Sequence, residues 1–174
     1  MPNWCYGNIR FKGTKDNIRN FVKNEILDLI PNSITSNTDI ETTPIIEEYD
    51  DIIMFIKHHE NARRNFYIRG TYRCFIDSNF IEINLELAET PLEEIVVCID
   101  GFKAAWSFNE INDIRWADIA RDYNIDIKMV GFEKGMNFYQ IKTIDRNRNI
   151  ELETRKYKDC EDWDWNSLFP NYGG

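Results

Sequence analysis

The chain has 174 residues, a net charge of −9, 43% hydrophobic residues and eleven Phe, eight Tyr and five Trp. That length suits one domain with a real core, and a chain so rich in apolar and aromatic residues is not disordered. The acidic balance argues against broad binding to a nucleic-acid backbone, which needs a positive face; it leaves room for a local basic patch, or for an acidic surface that occupies a partner's basic groove.

Residues 4–13 read as a first strand: Tyr6, Asn8, Arg10 and Lys12 alternate with Cys5, Ile9 and Phe11, imperfectly at Gly7. Thr14 is placed to cap a helix over residues 14–30, with Asp16 in its first turn. Ile18, Phe21, Val22, Ile26, Leu29 and Ile30 form its apolar stripe, and Pro31 stops it. Residues 31–51 predict a polar connection, in which 39–51 hold six acids and no base. Residues 52–65 fit a short helix with Ile52, Ile53, Phe55 and Ile56 inward, and 66–70 a strand or its approach. Residues 74–76 and 80–87 read as a hairpin around Asp77, Ser78 and Asn79. Ile81, Ile83, Leu85 and Leu87 alternate there with Glu82, Asn84 and Glu86. Thr90, Pro91 and Glu93 have the form of a helix start. The β-branched residues 95–99 leave helix and strand both open.

Residues 102–140 spell strand, turn, helix, strand, hairpin turn, strand. A short apolar strand, 102–106, precedes polar residues 107–110 that can cap a helix of roughly 109–123. Ile114, Ala117, Ile119 and Ala120 spread over one side of it, with Trp116 beside them. Asn124 suits the left-handed stop. Ile125, Ile127 and Met129 then alternate with Asp126 and Lys128, and Glu133, Lys134 and Gly135 turn the chain into a strand over 136–144. After a turn at 145–149, Ile150, Leu152 and Thr154 alternate with Glu151, Glu153 and Arg155 as an edge strand. The tail, 158–174, mixes acids with Trp163, Trp165, Phe169 and Tyr172.

The start carries no basic stretch followed by an apolar run of signal length, and no window approaches the roughly 18 apolar residues of a membrane span. Cys5, Cys74, Cys98 and Cys160 are dispersed, with no spacing for zinc or a disulfide framework. The expectation is a cytoplasmic protein with reduced thiols and no membrane contact.

Two stretches resemble a known family. The opening MPNWCYGNIRFKG is similar to the Asn-Trp-Cys start of small phage and plasmid proteins with a ferredoxin-like domain, the YubB and Api92-like group. The run FKAAWS, then a helix, then an alternating strand into FEKGMNF resembles a second segment of that family, on Phe102, Ala105, Trp106, Ser107, Glu133, Gly135 and Phe138. Residues 31–94 and 150–174 have no such match. The resemblance implies a single α+β domain over 1–174: a ferredoxin-like antiparallel sheet with two main helices packed on one face. An inserted hairpin within about 31–94 and a C-terminal extension complete it. It also implies a mobile-element accessory protein, and no catalytic residues.

The chain has no GxSxG, no HExxH and no phosphate-cradling glycine loop. Its only histidines, His58 and His59, are neighbours that would point about 100° apart on a helix, a poor metal pair. We therefore expect a binding protein without enzyme activity, metal or cofactor; a nuclease using carboxylate-held metal is the catalytic rival. Two binding surfaces are legible. Phage and plasmid accessory proteins often block host defence, and an acidic, aromatic-rich surface can occupy the nucleic-acid groove of a host nucleoprotein such as a CRISPR effector. Its charge would come from Glu47, Glu48, Asp50, Asp51, Asp159, Glu161, Asp162 and Asp164, with Trp163 and Trp165 as anchors. The alternative is direct binding of RNA or single-stranded DNA by the basic stretch 57–73, through Arg63, Arg64, Arg69 and Arg73 with Tyr67 interleaved.

Overall fold

The computed structural model describes residues 3–31, 39–57, 66–86 and 89–156. The chain order is β1 (Trp4–Thr14), α1 (Lys15–Glu25), β2 (Ile26–Pro31), β3 (Asp39–Thr42), β4 (Ile45–Tyr49), β5 (Ile52–Ile56) and β6 (Phe66–Ile68). Then follow β7 (Cys74–Ile76), β8 (Phe80–Asn84), β9 (Glu94–Ala105), α2 (Asp113–Asp122), β10 (Asp126–Glu133), β11 (Phe138–Ile144) and β12 (Ile150–Lys156). Among the described residues nine strands form one sheet, in the order β12-β11-β10-β1-β9-β7-β6-β2-β3, and β4-β5-β8 form a second. Every pairing is antiparallel. Among the described residues the architecture is mostly antiparallel β with two short helices, which overturns the expected ferredoxin-like α+β fold.

β1 lies inside the large sheet, between β10 and β9, and its burial alternates along its whole length. Cys5, Ile9 and Phe11 are fully buried in the main core cluster. Gly7 interrupts the row for a steric reason: a Cβ there would sit 1.8 Å from the Val130 carbonyl oxygen of β10. The register of β1 against β9 also shifts between Gly7 and Asn8. The helices pack on this face. Phe21 of α1 meets Phe11 at 4.5 Å between ring centroids, and Trp116 of α2 meets Phe102 of β9 at 6.0 Å.

α1 begins as expected, with the Thr14 hydroxyl accepting from the Asn17 amide. It ends at Glu25 and not near residue 30. Ile26 is already extended, and β2 pairs with β6 through Ile26 opposite Ile68 and Asp28 opposite Phe66. The stripe of Ile18, Phe21 and Val22 is helical; the β-branched and leucine-rich run after it finds strand partners instead. The expected helix over 52–65 is also corrected in its first part. Residues 52–56 are β5, with Ile53 opposite Ile83 and Phe55 opposite Ile81; residues 58–65 lie outside the described residues. A short apolar run between partners of its own kind is a strand, whatever its helical period.

Two further differences share that cause. The polar connection 31–51 contains β3 and β4. The expected hairpin at 74–87 is no hairpin, since β7 pairs with β9 in the large sheet and β8 with β5 in the small one. The crossing is fixed where Gly101 approaches Asp77: the Asp77 amide donates to the Gly101 carbonyl at 2.8 Å, and Gly101 has φ +77. The undecided residues 95–99 are strand, with Ile95, Val97 and Ile99 buried.

α2 starts at Asp113, with the Asn112 side chain as its cap, and leaves Ile114 exposed. The loop before it is pinned from β11. Buried Lys142 donates to the Phe108 carbonyl at 2.7 Å and pairs with Asp113, while the Gln140 side-chain oxygen accepts from the Phe108 amide at 2.8 Å. Asn124 is left-handed as expected, at φ 50, and Asp145 closes the expected turn by accepting from Asn147 and Asn149. β12 is the expected edge strand.

Candidate nucleic-acid interface

The even-numbered residues of β1 face away from the helices. Their neighbours across the sheet follow from register. Tyr6 lies opposite Phe132 of β10 and Lys103 of β9; Phe132 lies opposite Tyr139, and Tyr139 opposite Arg155. Phe75 of β7 lies opposite Lys103. The row Arg155–Tyr139–Phe132–Tyr6–Lys103–Phe75 therefore crosses six strands, roughly 24 Å at about 4.8 Å per strand. Cations sit on its rings. The Lys103 ammonium is 5.2 Å from the Trp4 ring and 5.9 Å from Tyr6, held by Asp77 at 2.9 Å, and the Arg155 guanidinium is 5.8 Å from Tyr139. Phe132 and Tyr139 are buried there as a small second cluster, while Trp4 and Tyr6 stay partly exposed.

Beyond this row the face turns basic. Arg10 of β1 lies directly opposite Lys128 of β10, and Lys12 follows on the same side. With Val96 and Thr143 they line a hollow of about 450 Å³. Two of the acids at this end are engaged, while Asp100 of β9 is exposed on the same face opposite Asn8. Arg146 holds Glu94 at 2.6 Å and Asp126 at 2.9 Å, and its hydrogen bonds keep both carboxyls below the usual carboxylate range. Lys12 also reaches Glu94, at 3.4 Å. Arg10 and Lys128 form no ion pair with any described residue. Between the aromatic row and the basic pair stands Asn8, whose buried side-chain oxygen has no hydrogen-bond partner among the described residues.

Those residues singled out from the sequence that the structure describes are dispersed. Glu48 accepts from Arg19 at 3.0 Å and from Lys23, and Asp51 accepts from Arg19 at 3.1 Å and from Lys15. These bonds tie the small sheet to α1. They hold both carboxyls below their ordinary range, through Lys23 at Glu48 and Lys15 at Asp51. Glu47 is exposed on β4, and Asp50 occupies the turn after it with φ 52. Asp159, Glu161, Asp162, Trp163, Asp164 and Trp165 lie outside the described residues, as do Arg63 and Arg64. The rest of the basic stretch does not converge. Tyr67 is buried beside Phe75, Arg69 reaches back to the Asn24 carbonyl at 3.2 Å, and Arg73 stands 3.8 Å from Glu110. Arg10, Lys12 and Lys128 carried no sequence signal as a group, because only strand pairing places residue 10 beside residue 128. The alternation of β1, with Tyr6, Asn8, Arg10 and Lys12 on one side and no acid among them, was the available hint.

Among the described residues no group of three or more His, Cys, Asp or Glu side chains is placed to hold a metal ion. Cys5, Cys74 and Cys98 are free, and burial pushes the Cys74 thiol up to about 12. No helix among the described residues is long and apolar enough to cross a membrane. Comparison with known proteins gives no match to a family model, to a curated protein or to a solved structure.

Proposed function

We propose that the helix-free face of the nine-stranded sheet binds single-stranded nucleic acid without catalysing a reaction on it. The setting we propose is the one implied by the sequence resemblance, the cytoplasm of a host cell carrying a phage or plasmid. One observation carries the reading: Arg10 and Lys128 oppose each other with no described acid to pair them. Like charges directly opposite on a sheet are destabilising, and a phosphate between them turns that repulsion into two charge-assisted hydrogen bonds. Further along β1, Trp4 and Tyr6 offer partly exposed rings for bases. Of the acids around the pair, Glu94 and Asp126 are neutralised by Arg146, while Asp100 is exposed on the same face opposite Asn8. Host-nucleoprotein binding by an acidic surface is the rival. Its charge rests mainly on residues 159–165, since Glu48 and Asp51 are paired to α1.

Fluorescence anisotropy with labelled 12-nucleotide RNA and DNA strands, at two salt concentrations, tests the proposal. The double variant Arg10→Glu, Lys128→Glu should bind at least tenfold more weakly, and its salt slope should fall by about one for each lost phosphate contact. Tyr6→Ala should lose about 1–3 kcal/mol of binding, the usual worth of one stacked base. Unchanged binding by the double variant sinks the reading. Loss confined to Arg63→Glu, Arg64→Glu moves the site to the basic stretch. A wild-type chain that ignores both strands, yet loses a host nucleoprotein on changing Asp159, Asp162 and Asp164 to Lys, establishes the acidic surface instead.

A further inference from the structure

On the helix side of the same sheet, at its β12 end, lies a second hollow of about 600 Å³. Its walls include Trp106, Met136 and Leu152, with relative exposures of 45%, 58% and 36%. Three apolar side chains left in water around one concavity are unusual on a surface, and the volume falls in the range of small-ligand pockets. Arg73 and Lys156 stand at its rim, from the turn before β7 and the end of β12. Arg73 makes one long, exposed contact with Glu110, at 3.8 Å, and Lys156 forms no ion pair with a described residue.

The backbone around this hollow is held in an uncommon state. Tyr72, Arg73 and Trp106 have φ of 30°, 64° and 72°, and Asn137, beside Met136, has φ 56°. Side chains with a Cβ disfavour that region, and outside turns built on Asn it persists only where the surroundings impose it. Here the surroundings do. The Ala105 amide donates to the Arg73 carbonyl at 2.9 Å and the Trp106 amide to the Asn3 carbonyl at 2.7 Å. The two strained segments are thus bonded to each other, and they place an indole and a guanidinium on one rim. Gln140, donating to the Thr154 hydroxyl at 3.0 Å, lies in the floor.

The geometry points to a second binding site here, a pocket for a single nucleotide unit whose base stacks on Trp106 and whose phosphate lies between Arg73 and Lys156. A partly exposed indole selects a flat π-face, and two cations select an attached anion. Ser107 and Glu110, also in the wall, offer hydroxyl and carboxylate groups to the base edge. The same chemistry has two sources, a free nucleotide or the phosphorylated end of a strand. The inference does not rest on the helix-free face, which lies on the other side of the sheet.

Isothermal titration with the four ribonucleoside 5′-monophosphates and their nucleosides tests it on the full chain. At least one monophosphate should bind at one per chain, tenfold or more tighter than its nucleoside. Trp106→Ala, and Arg73→Ala with Lys156→Ala, should each weaken it at least tenfold, while Arg10→Glu, Lys128→Glu should leave it unchanged. Trp106→Gly is the decisive variant, because glycine accepts the left-handed backbone without penalty. The variant should still melt cooperatively while binding is lost, and Trp106→Phe should restore part of the binding. A 5′-phosphorylated oligonucleotide preferred tenfold over its 5′-hydroxyl twin assigns the pocket to strand ends; equal affinity, with monophosphate binding retained, assigns it to free nucleotides. No saturable binding of any monophosphate, or unchanged binding by Trp106→Gly, overturns the proposal.

Discussion

The two faces of β1 are built from alternate residues of one stretch and have opposite properties. Cys5, Ile9 and Phe11 are fully buried against the helices; Arg10 and Lys12 are exposed on the other side, with Trp4, Tyr6 and Asn8 partly so. The charges differ as well. At the rim of the helix side, Lys15, Arg19 and Lys23 are matched by Glu48 and Asp51. On the far side, Arg10 faces Lys128. The contrast teaches that one strand can divide its labour by parity: the odd residues hold the fold, and the even ones carry a like-charge opposition that the fold does not require.

The largest effect should come from breaking the covered face. Phe11→Ala removes a buried ring packed 4.5 Å from Phe21, and urea unfolding should show a loss of about 3–5 kcal/mol. A loss of similar size from Arg10→Ala would erase the distinction between the faces.

Acid should weaken the covered side next. The carboxyls of Glu48 and Asp51 lie below their ordinary range in the folded chain. Their stabilisation is therefore complete above the unfolded carboxylate value, about 4, and is lost as pH falls through the lower folded values. Thermal melts of Glu48→Gln, Asp51→Asn should show a lower midpoint than wild type at pH 7 and convergence with it near pH 2. A gap that persists at pH 2 would mean that the pairs act through packing and not charge.

The smallest effect, and the sharpest for the comparison, concerns the other face. Lys128→Glu turns a like-charge pair into an opposite one, which should raise stability by roughly 0.2–1 kcal/mol while oligonucleotide binding falls. Stability and binding dropping together would show that Lys128 is a structural residue.

Much of the local structure was legible because its causes are local. The period of two in β1, the Thr14 cap, the left-handed Asn124, the Asp145 turn and the alternation of β12 each depend on a few adjacent residues, and each stands where the spacing put it. The candidate interface was half legible, since the even side of β1 is visible in the sequence and its partners are not. Trp106 was visible as part of a motif, but not its φ or the hollow beside it.

What only the tertiary structure decided is which strand lies beside which. Residues 26–31 and 52–56 carry apolar spacing that suits helix or strand, and distant partners settled them as strand. The run 74–87 has hairpin spacing, yet β7 and β8 belong to different sheets because each buries its apolar side against a different neighbour. The helix–sheet balance and the opposition of Arg10 to Lys128 follow from those pairings. A sequence states the period of each segment through the sterics of its own backbone; a sheet is closed by hydrogen bonds between segments far apart in the chain, and no local spacing encodes that choice.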